Sequence, residues 1–396
     1  MAFENQNNKN NFVIPFLLAL SIGLDGISLG SIGGGNLRLS YILIPVMFLI
    51  IIFQYDLSSS LKKDFKTFLI SFIFVFYCLL SIFWAPSLNE SIYNIIRLIN
   101  GYLYFIIAWS LKFNRRSLLV FLTTISLIQA LDVIRRFIML LPLILSGTSA
   151  NIVVQKISTM SSYAIQNSNA AAVVAGFGTI IAMYYLKKIN NNDESYGYKR
   201  IFWLFIAGIT SISIIFALSR TAILGVLIGL IIIYRSRIIL ISSGIMLFLL
   251  VLMLINNDIY SLFIGKIMYS ESINNRIGLA KIALDLYLNS PIIGNGIGAI
   301  TALFPYLNDI EVGNSYAHNL YLTIAAQLGT IGLLLFLILV VRIIKLRLIE
   351  RDILGLALIG MLVSKAIFLF DLSEEYIWII IAYCSISYKE RRDCLN

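Results

Sequence analysis

The chain has 396 residues, of which 59% are hydrophobic and only 13% charged, and its mean hydropathy is +0.90. Soluble globular chains carry about 45–50% apolar and about 25% charged residues, so a soluble multidomain protein is excluded, as is a disordered chain. The net charge of +10 would indicate nucleic acid only if the cations formed a patch; they sort by membrane side instead, and no nucleic-acid partner is expected.

Twelve apolar runs read as membrane helices: 12–30, 39–55, 67–85, 92–111, 117–140, 165–186, 201–218, 221–234, 238–255, 317–341, 353–370 and 375–388. The expected class is therefore an all-α polytopic membrane protein, one integral domain over 1–396. The first run follows a polar, Asn-rich start and reads as a span rather than a cleaved leader. The fifth is open to an early end where Arg135 and Arg136 interrupt it. Of the 30 Lys and Arg, 20 fall in one set of alternate loops and 8 in the other. The positive-inside rule makes the richer set cytoplasmic and places both termini there. The connection 256–316, between the ninth and tenth runs, then faces outward, and loops of that length usually carry function.

Ionisable residues inside a span usually face the bundle interior or a cavity. Arg97 lies roughly 9 Å into the fourth run at helical rise. Asp132 precedes Arg135 and Arg136 by three and four residues, a spacing that fits a local ion pair; a structural and a ligand-binding role for the trio both stay open. Ser219-Arg220-Thr221 forms the tight outward turn between the seventh and eighth runs. A snorkelling arginine fits there, but the tight turn favours one that faces a ligand. Lys365 sits inside the eleventh run with Asp371 as a neighbour.

In the long connection, Asn274, Gly278, Lys281, Asp285 and Asn289 recur at helical steps. The spacing predicts a helix with one polar stripe and Arg276 at its start, suited to the membrane interface or the top of a bundle. Pro291 and Gly294-Asn295-Gly296-Ile297-Gly298 end it. These glycines follow a helix rather than a strand, which argues against dinucleotide binding; tight backbone turning is expected. His318, the only histidine, stands where the connection meets the tenth run. A lone histidine is more often incidental than catalytic, but this one shares the outward side with several arginines. Guanidinium binds phosphate oxygens bidentately, so the set suits a lipid-linked pyrophosphate. The histidine could take a proton from an attacking hydroxyl, and arginines could stabilise the leaving pyrophosphate without a metal ion. One histidine and three cysteines with no CxxC spacing give no expectation of a zinc or iron–sulfur site.

Three motifs resemble the O-antigen ligase/O-antigen polymerase superfamily of undecaprenyl-pyrophosphate-dependent membrane glycosyltransferases. They are Ser219-Arg220-Thr221-Ala222 opening a helix; Arg276 followed by Pro291-Ile292-Ile293-Gly294-Asn295-Gly296; and His318-Asn319, nine residues, then Gly329-Thr330-Ile331-Gly332. Gln166-Asn167-Ser168-Asn169-Ala170 is a weaker similarity. The resemblance implies a metal-independent, all-helical glycosyltransferase fold in the bacterial inner membrane, acting on its periplasmic face without a cofactor. The implied donor is a glycan on undecaprenyl pyrophosphate. The acceptor would be another lipid-linked repeat unit for a polymerase, or lipid A–core for a ligase, and a chain-length regulator joins the expected partners. Carried over by motif, Arg220 and Arg276 would bind pyrophosphate and His318 would activate or position the acceptor hydroxyl. Asn319, Arg97, Arg135 and Arg136 are further candidates, the three arginines on charge and depth alone. The Ile-, Asn- and Lys-rich composition favours the polymerase; a lipid-linked oligosaccharide flippase is the reading from a different class.

Overall fold

Apolar runs become helices in the computed structural model, which describes residues 2–23, 28–32, 35–38, 40–54, 65–111, 114–146, 167–190, 197–217, 219–235, 270–307, 317–368 and 374–386, with residues 156, 162, 165 and 372. In chain order these are α1 (Ala2–Gly23), β1 (Ser28–Ile32), β2 (Gly35–Arg38), α2 (Ser40–Gln54), α3 (Phe65–Leu80) with a 3-10 turn at Ser81–Trp84, α4 (Leu88–Ser110), α5 (Arg115–Leu145), α6 (Ser168–Asn190), α7 (Gly197–Phe216), α8 (Arg220–Ile233), α9 (Ser270–Asn289), α10 (Ala299–Leu307), α11 (Leu320–Ile349), α12 (Ile353–Phe368) and α13 (Glu375–Ser385). Among the described residues, six helices are long and apolar enough to cross a membrane: Phe65–Trp84, Leu88–Ser110, Arg115–Leu143, Ser168–Ile189, Tyr198–Phe216 and Leu320–Ile349. Five shorter apolar helices accompany them. The expected ninth run, 238–255, lies outside the described residues, as do 256–269 and 308–316 of the long connection.

The first helix stops at Gly23 rather than at residue 30. Ser28–Ile32 instead pairs antiparallel with Gly35–Arg38, Ser28 opposite Arg38 and Ile32 opposite Gly35. Glycine and serine are poor helix formers, and the ladder satisfies their backbone groups. An otherwise helical architecture thus gains one two-stranded hairpin. The fifth run does not end at Arg135 and Arg136, since α5 continues to Leu145.

Small side chains place α6 in the middle of the bundle. Residues 171–175 are all fully buried, and α5, α7, α8 and α12 pack against this helix. Close approach lets polar pairs form across it: Ser126 Oγ donates to Val174 O at 2.7 Å, and the Thr179 and Thr210 hydroxyls meet at 2.9 Å. α13 has only eleven residues and every one is buried, enclosed by α4, α5, α11 and α12; a helix apolar all round belongs inside. The outside is apolar too. Phe202, Leu204 and Phe205 on α7, and Leu334, Ile338 and Val341 on α11, are exposed, as a lipid-facing surface requires.

Charges read as loop residues are partly interior. Arg347 is fully buried; it pairs with Glu350 at 2.8 Å and Asp352 at 3.4 Å and donates to Ile386 O at 2.7 Å. Arg115 meets the same Asp352 at 3.0 Å, and Tyr383 donates to it at 3.0 Å. Burial works against the Asp352 carboxylate, yet Arg115, the Gly355 amide, Arg347 and Tyr383 together hold it below its ordinary range. This network joins the start of α5 to the turn between α11 and α12.

Candidate functional site

The helix that follows His318 is broken. At Gly329 the backbone of α11 turns to φ 64°, ψ −166°, a conformation essentially reserved for glycine. The break leaves a half-helix, 320–328, and frees backbone groups that lipid cannot satisfy. The loop after α9 supplies partners. Asn295 N donates to Ala326 O at 3.0 Å and Gly296 N to Gln327 O at 2.8 Å, while Thr330 N and Ile331 N donate to Pro291 O and Ile292 O at 2.8 and 3.3 Å. The Tyr77 hydroxyl reaches Leu328 O and Ile293 O, both at 3.2 Å. Nothing larger than hydrogen fits where the two strands of this latch meet. A Cβ on Gly329 would lie 2.2 Å from Ile292 O, and one on Gly294 2.4 Å from Gln327 O. The loop is also tied to α3 and α4: Ile297 N donates to Ser81 Oγ at 3.0 Å, and Ser91 Oγ to Ile297 O at 2.6 Å. The glycines of this motif therefore serve tight turning and close backbone packing.

His318 comes two residues before the half-helix. Asn319 caps it, accepting from Leu322 N at 3.0 Å through its side chain and from Thr323 Oγ1 at 2.9 Å through its carbonyl. His318 has φ 50°, in the left-handed region that side chains other than glycine rarely adopt. Ala317 beside it is buried in an apolar cluster with Leu279, Ala283, Leu286, Ile300, Phe304 and Ala326. That cluster packs α9 and α10 against the half-helix and fixes Arg276, on α9, relative to His318. Arg220 begins α8, whose cap Ser219 accepts from Ala222 N at 3.4 Å.

The three basic groups are electrostatically coupled. Burial, and then the charge of Arg220, lowers the pKa of Arg276. Burial, and then the charge of Arg276, lowers that of His318 to about 4. Among the described residues no carboxylate is among the charges acting on Arg276 or His318. His318 is thus neutral near pH 7 and can accept a proton. The guanidinium beside it sits where its own charge is disfavoured, a condition that a bound anion relieves.

The other candidates fall elsewhere. Arg97 is buried in α4 with its guanidinium 5.6 Å from the Tyr93 ring. Its charge acts on Tyr41 together with those of Arg38 and Glu375. Arg38 and Glu375 approach to 4.0 Å, and Asn100 Nδ2 donates to Glu375 Oε1 at 3.2 Å. That group belongs to β2, α2, α4 and α13, not to the elements around His318. Arg135 and Arg136 both pair with Asp132, at 2.9 and 3.1 Å, the local ion pairing their spacing predicts. Ser162 adds a hydrogen bond to the same carboxylate at 2.7 Å. Lys365 is held by Glu374 and by the Tyr376 hydroxyl at 2.6 Å; Asp371, its expected neighbour, lies outside the described residues.

Beside the half-helix lies a small apolar groove of about 50 Å³, lined by Leu320, Tyr321, Phe336, Ile359, Val363 and Ile377 of α11, α12 and α13. Sequence reasoning missed this groove, the break at Gly329 and the hydrogen-bonding role of Tyr77. For the break a signal existed, since Gly329 and Gly332 interrupt an apolar run where glycine weakens a helix.

No curated protein matches the chain. Residues 204–337, which include Arg220, Arg276, His318 and the break at Gly329, match the family model described as O-antigen ligase, and this match supports the resemblance to the O-antigen ligase/O-antigen polymerase superfamily.

Proposed function

We propose that the chain is a glycosyltransferase that moves a glycan from undecaprenyl pyrophosphate to another lipid-linked repeat unit at the periplasmic face of the inner membrane, making it a surface-polysaccharide polymerase. The coupling of Arg220, Arg276 and a neutral His318 carries this reading. The acceptor hydroxyl oxygen attacks the anomeric carbon, and the bond from that carbon to the pyrophosphate oxygen breaks. His318 takes the hydroxyl proton. Arg220 and Arg276 hold the pyrophosphate as negative charge grows on it. Donor binding also primes the base, because the pyrophosphate offsets the Arg276 charge that suppresses His318.

Arg276→Ala tests the coupling. Loss of one charge-stabilising donor of this kind typically lowers kcat about 10²–10³-fold, and a similar loss is expected here. Removing the cation also favours protonated His318, so its pKa rises. The acid limb of the kcat/KM profile, which reports the free enzyme, should move to higher pH. An acid limb that stays in place in Arg276→Ala contradicts the coupling.

Reconstitution with a lipid-linked glycan decides the reaction. New glycosidic bonds between repeat units support the polymerase. Transfer only to lipid A–core supports the ligase that the description of the matched family names, by the same chemistry. Transbilayer movement with no new bond would make the protein a flippase.

A further inference from the structure

We propose that Asn295 is a positioning residue for the transfer reaction, its carboxamide tying the helix that carries Arg276 to the half-helix that begins beside His318. This rests on the function proposed above and concerns a residue outside the pyrophosphate and acceptor groups. Asn295 Nδ2 donates to Leu286 O at 2.7 Å and to Ala326 O at 2.9 Å. Leu286 is in the last turn of α9, and Ala326 is in the last turn before the Gly329 break. Both carbonyls are therefore of the kind left without a partner where a helix ends. One planar amide satisfies the two at once, and its own backbone N–H adds a second bond to Ala326 O at 3.0 Å. A second tie, between the Tyr287 and Thr330 hydroxyls at 3.0 Å, joins the same two elements.

The functional groups lie at the far ends of these elements. Arg276 is ten residues before Leu286, roughly 15 Å along the helix, and His318 is eight residues before Ala326, roughly 12 Å. A small change of angle at the clamp is thus magnified at the site. A tilt of about 5° moves a point 15 Å away by about 1 Å, and misplacement of that size can reduce rate by about 10²-fold. The chemistry of the residue fits the task. Two N–H donors on one short side chain are needed; an ionised aspartate has none and would face two carbonyl oxygens, while serine has one.

The test uses the full-length protein in lipid nanodiscs. In Asn295→Ser, kcat should fall about 10²-fold. The titration of His318, read from its imidazole resonances, should move toward the ordinary range of histidine as Arg276 drifts away. Asn295→Gln keeps both donors and should recover part of kcat. It also supplies the decision if Asn295→Ser does not accumulate as folded protein, through a smaller shift of His318 in the same direction. A folded variant with unchanged kcat and an unchanged His318 titration overturns the proposal. Because the titration needs no turnover, a wild-type protein without transferase activity would refute the function while the resonance shift still reports on the clamp.

Discussion

His318→Ala should yield a folded, membrane-inserted protein that forms no detectable polymer. His318 is neutral in the resting state, and no other side chain in the sequence has an ordinary pKa in the same range. A general base contributes about 10²–10⁴ in rate, and removing it brings turnover below what gel-resolved polymer reveals. The fold should survive, because the half-helix keeps its Asn319 cap and Ala317 keeps its apolar cluster. The backbone at φ 50° is a second concern with alanine, so His318→Asn is the matched control. Asparagine tolerates left-handed backbone and carries no base at neutral pH. Both variants should be equally inactive and equally monodisperse by size exclusion. Wild-type banding from either one removes His318 from the chemistry.

Gly329→Ala should have the largest effect on the fold. The new Cβ would lie 2.2 Å from Ile292 O and 2.6 Å from Gly294 N, contacts with backbone that no rotamer relieves. The conformation at Gly329 adds its own penalty, of order 1–3 kcal/mol for a side chain held there. The latch would open, and the carbonyls of Ala326, Gln327 and Leu328 would lose their partners in an environment that supplies no water. Loss of monodisperse protein, or a melting temperature lowered by many degrees, is the expected result. Gly208→Ala, in α7, is the control: nothing lies within 4 Å of the added carbon, and helix propensity favours it by roughly 1 kcal/mol. A Gly329→Ala protein as stable as Gly208→Ala would mean that the break is not required.

Hydropathy made the membrane class legible, and helical spacing made α9 legible, because a polar stripe survives in an apolar helix. The motifs around Arg220, Arg276 and His318 were visible as sequence, and the structure couples the three. Three features were hidden in whole or in part. The hairpin at Ser28–Arg38 is rich in glycine and serine, with only Leu29, Ile32 and Leu37 apolar, a composition that marks the end of a helix without specifying a strand pair. The break in α11 was signalled only by Gly329 and Gly332, because the partners that receive its freed backbone groups lie in the distant 291–296 loop. Arg347 and Arg115 looked like loop cations, since composition does not tell a solvated arginine from one buried against Asp352.

The most direct test of the coupled site is a titration of His318 itself. It is the only histidine in the sequence, so histidine-labelled, tag-free protein gives a single imidazole signal by NMR. The expected titration lies near pH 4 in the unliganded protein, moving to higher pH when inorganic pyrophosphate is added and when Arg276 is replaced by alanine. An imidazole that titrates near its ordinary value of about 6.5, and ignores both changes, would contradict the coupling of His318 to Arg276.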